Sequence, residues 1–120
     1  MVISKGAELI RVPLQNLVFI QACANYCEIV TLNGKRTLVP YQLGQVEDMM
    51  EEQLGEDSGD FIRIGRGFII NSGYIFIIDV TKQRIVLSDG DRFHYELSAS
   101  KEALSKLKAW IELKHNTENK

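Results

Sequence analysis

The sequence predicts a mostly β fold, with antiparallel strands and two amphipathic helices packed on them. Three observations carry this. Short apolar stretches of strand length are punctuated by Gly, Pro, Asn and Asp. Asn33-Gly34 and Asp89-Gly90 are both hairpin signals. Apolar residues recur at helical spacing in two segments, Leu43 to Leu54 and Ala103 to Leu113. The 120 residues fit one domain, expected over 1–114, followed by a polar tail at 115–120.

Glu8 to Val12 reads as a short strand that Pro13 limits to an edge or an end. Leu17 to Ala22 is a second strand and Tyr26 to Leu32 a third. Asn33-Gly34 then turns the chain in a two-residue loop, and Lys35 to Val39 is the return strand. Pro40 opens a helix, standing near its first turn, with Gly55 just past its end. Leu43, Val46, Met49, Met50 and Leu54 form its apolar face, and Glu47, Asp48, Glu51 and Glu52 a solvated one. Phe61–Gly65, Gly67–Asn71 and Tyr74–Val80 are strands divided by Gly or Ser-Gly breaks. Arg84–Ser88 is another, and Asp89-Gly90 leads into Arg92–Leu97. Ser98 or Ser100 caps the closing helix, whose apolar residues are Ala103, Leu104, Leu107, Trp110, Ile111 and Leu113.

Composition narrows the class. Hydrophobic residues make up 45% and charged residues 25%, as in an ordinary globular protein. No apolar run reaches the ~18 residues of a spanning helix, and the N-terminus shows no long apolar signal region. A cytoplasmic protein without a membrane segment is therefore expected. Cys23 and Cys27 lack the further ligands of a zinc site and are expected as reduced thiols. On one strand they would point to the same face. No cofactor is expected.

The net charge of −2 argues against a nucleic-acid partner until its distribution is read. Residues 44–60 hold seven acids and no base; the rest of the chain sets 14 Lys and Arg against nine acids, a balance of +5. A basic face can form away from the acidic segment.

Catalysis finds no support. His94 sits in a strand and His115 in the tail, each without a partner motif. The chain has no Gly-x-Ser-x-Gly elbow, no phosphate-binding Gly-x-x-x-x-Gly-Lys and no His-Glu-x-x-His. Asp89 and Asp91 flank a turn glycine, where Asp is common for backbone reasons. A non-enzyme is expected.

Binding is better supported, and Phe61-Ile-Arg-Ile-Gly-Arg-Gly-Phe-Ile-Ile-Asn71 is its centre. Arg63 lies among strand residues and suits a structural or phosphate-contacting role. Arg66 stands between Gly65 and Gly67, which let the backbone turn and approach a partner closely. Further candidates stand at turns and strand ends: Lys35 and Arg36, Lys82 and Arg84, Asn25 and Tyr26, and Asn71. Arg reads guanine edges bidentately, and Asn reads adenine or contacts phosphate.

These pieces, in order, resemble the LytTR-type DNA-binding domain of bacterial transcriptional regulators. The likeness runs from about Glu8 to Leu107, through Ile10-Arg-Val-Pro-Leu14, Leu17-Val-Phe-Ile20, Asn25-Tyr26 and Gly34-Lys-Arg36. It continues in the helix with Leu43 and Leu54, the arginine signature through Asn71 and Ile75, Leu87-Ser-Asp-Gly90, and Leu97-Ser-Ala-Ser100. The resemblance implies an elongated antiparallel β fold that inserts strand-joining loops into DNA grooves, without a helix-turn-helix. It implies double-stranded promoter repeats as the target, bound by a pair of copies. A receiver domain or sensor kinase outside this chain would control it. Arg66 then matches a base-contacting residue, Asn25 and Tyr26 fall in the first recognition loop, and Ser98 and Ser100 lie near a third contact region.

The chain departs from the pattern in two places. The family often has His and Ser around the second arginine, where this chain has Gly65 and Gly67. Its last contact is usually an Arg, a slot that falls here on Ala99 or Leu97, with Lys101 or Arg92 as replacements. These departures and the acidic segment motivate a rival, a protein-interaction module that kept the fold and lost base readout. An exposed basic face with Arg66, Lys35 and Arg36 is expected for DNA binding, and an Arg66 buried in a salt bridge for the rival.

Overall fold

The computed structural model describes residues 1–118. Its strands are β1 (Val2–Lys5), β2 (Glu8–Arg11), β3 (Leu17–Cys23), β4 (Tyr26–Thr31), β5 (Arg36–Val39), β6 (Phe61–Ile64), β7 (Phe68–Asn71), β8 (Ile75–Asp79), β9 (Arg84–Ser88) and β10 (His94–Ser98). The two longer helices are α1 (Leu43–Leu54) and α2 (Lys101–Glu118). The fold is mostly β, and its strands pair antiparallel in sheets ordered β1-β2, β5-β4-β3-β7-β6 and β10-β9-β8. The chain forms two compact units, Met1–Tyr74 and the remainder from Ile75.

In the first unit, α1 covers one face of the five-stranded sheet. Ile29, Ile20 and Ile69 stand in one row across β4, β3 and β7. All three are buried, in one cluster with Leu43, Val46 and Met50 of α1. This is the expected apolar face meeting the expected strands. The helix begins later than Pro40 suggests. Gln42 is the N-cap, and its backbone N–H donates to Gln45 Oε1 at 2.8 Å. Gly55 closes the helix at φ +56, a conformation that favours glycine.

Strand β1 has no counterpart in the sequence reading. Gln53 of α1 holds its edge, accepting from Val2 N–H and donating to Val2 O, both at 2.8 Å. The Met1 ammonium donates to Val12 O and the Tyr41 hydroxyl to Ser4 O.

The turns differ in detail from expectation. Asn33-Gly34 is not a two-residue loop. Gly34 N–H donates to Thr31 O, so Leu32 and Asn33 are the central pair and Gly34, at φ +80, is the residue that follows. That is a type I turn closed by a glycine bulge. The thiols of Cys23 and Cys27 do not share a face. A turn separates them, and Cys27 pairs with Ala22 while Cys23 pairs with Tyr26. Adjacent pairs point to opposite faces.

In the second unit, α2 lies against β8. Ser100, rather than Ser98, caps α2, its Oγ accepting from Ala103 N–H at 3.1 Å. The helix runs through 115–118, four residues of the expected tail; residues 119–120 lie outside the described residues. Strand β10 starts at His94, two residues later than expected, because Asp89 organises the connection. Asp89 Oδ1 accepts from the amides of Asp91, Arg92 and Phe93, and Oδ2 from Arg92 Nε at 3.0 Å.

These bonds, the Asp91 amide first, hold the Asp89 carboxyl at about 2, against a smaller opposing effect of desolvation. A depressed carboxylate contributes stability that is present above its unfolded value, 3.8, and lost as pH falls through about 2. The stability gap between wild type and Asp89→Ala should therefore narrow between those two values. A gap unchanged across that window, by urea unfolding at each pH, would contradict the role given to Asp89.

Candidate nucleic-acid interface

The register of the five-stranded sheet brings two hairpin tips together. Strand β3 pairs with β4 up to Cys23 and Tyr26, which leaves Ala24-Asn25 as the first tip. Strand β6 pairs with β7 up to Ile64 and Phe68, which leaves Gly65-Arg66-Gly67 as the second. Strand β3 also pairs with β7, ending at Gln21 opposite Phe68. One more bond continues that ladder into the tip, from Ala22 N–H to Gly67 O at 2.8 Å. Both tips thus leave the same end of the sheet. The two ribbons are about two strand spacings apart, roughly 9.5 Å.

The tips present polar groups free to bind. Asn25, Tyr26 and Arg66 are exposed, and their side chains have no hydrogen-bond or ion-pair partner among the described residues. Gly65 takes φ +57, so a side chain there would be strained even though the space around it is open. Ala24 takes φ +55 without being glycine. Ala24→Gly should raise stability by about 0.5–1 kcal/mol, the steric relief less the entropy a glycine adds to the unfolded chain. Thermal unfolding checks this, and a loss of stability would contradict it.

Arg63 is engaged differently. Its Nε donates to Gly65 O at 2.8 Å and its Nη1 pairs with Glu47 Oε1 of α1 at 3.0 Å. It stands opposite Ile69, on the α1 face of the sheet. Cys27 shares that face. Burial pushes its thiol up from the ordinary range, and Arg63 partly offsets this.

The other predicted residues are not at these tips. Lys35 and Arg36 lie at the opposite end of the sheet, where β4 turns into β5. From Tyr26 to Val30, the partner of Arg36, the strand runs about 13 Å. Arg36 also pairs with Glu28 at 3.3 Å and lies 5.7 Å from the Phe19 ring centre. The expected single basic face of Arg66, Lys35 and Arg36 is therefore split between two ends of one sheet. Asn71 is at the far end too, opposite Phe61. Its Nδ2 donates to Leu17 O and its Oδ1 accepts from Gly73 N–H, a structural role. Ser98, Ser100 and Lys101 belong to the second unit and are exposed, with the Ser100 hydroxyl committed to the α2 cap. The short 3-10 stretch Gly55–Asp60, with Glu56, Asp57 and Asp60, leads into Phe61 at the end away from the tips.

Among the described residues no set of His, Cys, Asp and Glu could hold a metal ion, and no helix is long and apolar enough to cross a membrane. The sequence reading missed the pairing of the two tips and the Glu47–Arg63–Gly65 chain. Both depend on contacts across the sheet that no local pattern announces.

The fold exposes two hairpin tips at one end of its five-stranded sheet. The LytTr DNA-binding domain family model matches residues 7–112, and the chain belongs to that family. It is a DNA-binding domain of a kind that is not enzymatic. Among solved structures it is similar to a LytTr DNA-binding domain from Bacillus cereus, from a protein described as a methyl-accepting/DNA response regulator. That match has a TM-score of 0.61 at 20% identity, covering 92% of this chain and 94% of the other. No curated protein matches the chain.

Proposed function

We propose that this domain binds double-stranded DNA sequence-specifically through its paired tips, as the output domain of a bacterial response regulator. The observation that carries this is the exposed, unengaged Arg66, in a tip held beside that of Asn25 and Tyr26. Arg66 reads a guanine edge, with Asn25 and Tyr26 beside it. The spacing of the tips, about 9.5 Å, matches roughly three base-pair steps of 3.4 Å. Exposed bases supply phosphate contacts and salt dependence. The domain acts in the cytoplasm, on promoter repeats, two copies to a site, under a receiver domain or sensor kinase outside this chain.

Selection from random duplexes, followed by mobility shift at fixed salt, tests the reading. The expected result is an enriched sequence bound at least ~10³-fold more tightly than a scrambled duplex. No enrichment, with a stable protein partner recovered instead, would favour the interaction module.

A further inference from the structure

The Arg63 head group is engaged within the protein. Its Nε bonds back to Gly65 O, and its other arm reaches Glu47 on α1. Gly65 O belongs to the peptide that enters Arg66. Gly67 O, on the peptide that leaves the tip, is held by Ala22 N–H at 2.8 Å. The backbone of Arg66 is therefore clamped on both sides, by a side chain on one and by a neighbouring strand on the other. Gly65 at φ +57, with no Cβ and nothing within 4 Å of where one would stand, does not fix the tip by packing. Without Arg63 the entering peptide loses its restraint.

From this geometry we infer that Arg63 and Glu47 are positioning residues that hold Arg66 ready for readout, and that Arg63 is not itself a DNA contact. The inference rests on the reading of Arg66 given above. Glu47 fixes the guanidinium from the helix, and Arg63 passes that placement to the tip. A preorganised tip loses less freedom on binding than a mobile one. Among the acids of 44–60, Glu47 thereby has a role beyond a solvated face.

The test uses the whole domain with Arg63→Gln, Glu47→Gln and the double variant. Their partners are the duplex enriched by selection and a scrambled duplex of the same composition. Each single variant should lose on the order of tenfold in affinity for the enriched duplex, and the double variant no more, since the residues act in one network. Affinity for the scrambled duplex and the slope of log K against log salt should stay as in wild type. A slope reduced by about one for Arg63→Gln, with both duplexes weakened alike and Glu47→Gln silent, would make Arg63 a phosphate contact and overturn the inference.

Backbone amide order parameters at 65–67 in the free protein provide a readout without DNA. They should fall in both single variants; unchanged values overturn the positioning role while leaving the Arg66 reading standing. If no duplex is enriched for wild type, the Arg66 reading fails, and the order parameters alone decide whether the clamp exists.

Discussion

Arg66→Ala should weaken binding to the enriched duplex by about 1–3 kcal/mol, roughly 5- to 150-fold, and barely change binding to a scrambled one. The reason is local. Arg66 is exposed, and its guanidinium makes no bond within the described protein, so removing it leaves no partner stranded and no cavity. The loss falls on the complex alone. Arg66→Lys should behave almost like the alanine variant, because a lysine keeps the charge but not the two-pronged donor geometry that matches guanine. A charge-only role predicts the opposite, with lysine restoring affinity. Fluorescence anisotropy at one salt concentration separates the two. Equal affinity of wild type and Arg66→Ala for the enriched duplex would sink the assignment.

Ile20→Ala should cost about 2–5 kcal/mol of stability. Ile20 is 0% exposed and lies between Ile29 and Ile69 in the row that α1 covers. Truncation removes apolar contacts on both sides of β3 and leaves a cavity, since strands tied by ladders on both edges relax little. The same strand carries one tip and, through Ala22 N–H, steadies the other. The variant should therefore bind DNA less tightly than its folded fraction alone predicts. Urea unfolding gives the stability change. A midpoint within error of wild type would show that the site collapses without loss, contrary to the packing described.

Much of this was legible in the chain. The two helices follow from apolar spacing, and all strands except β1 follow from short apolar runs and breaks. Arg66 was legible as an exposed turn residue because glycines on either side mark a turn. Strand ends were less legible. Asp89 delays β10 to His94 by drawing three amides into its own hydrogen bonds, a preference that competes with the ladder. Strand β1 was not read, and its place comes from pairing with β2 and from Gln53, far along the chain.

The residues themselves determined the mostly β class, the helices, the glycine-flanked arginine and the separation of acids from bases, because each is a property of neighbours in sequence. Only the tertiary structure decided which candidates meet. The pairing of β3 with β7 joined Asn25, Tyr26 and Arg66 at one end of the sheet and sent Lys35, Arg36 and Asn71 to the other. The β6–β7 pairing set Arg63 opposite Ile69, and α1 packed on that face brought Glu47 within reach. The physical reason is that strand pairing across a long loop is chosen by burial of whole faces, as in the Ile29–Ile20–Ile69 row, and local propensity carries no record of it.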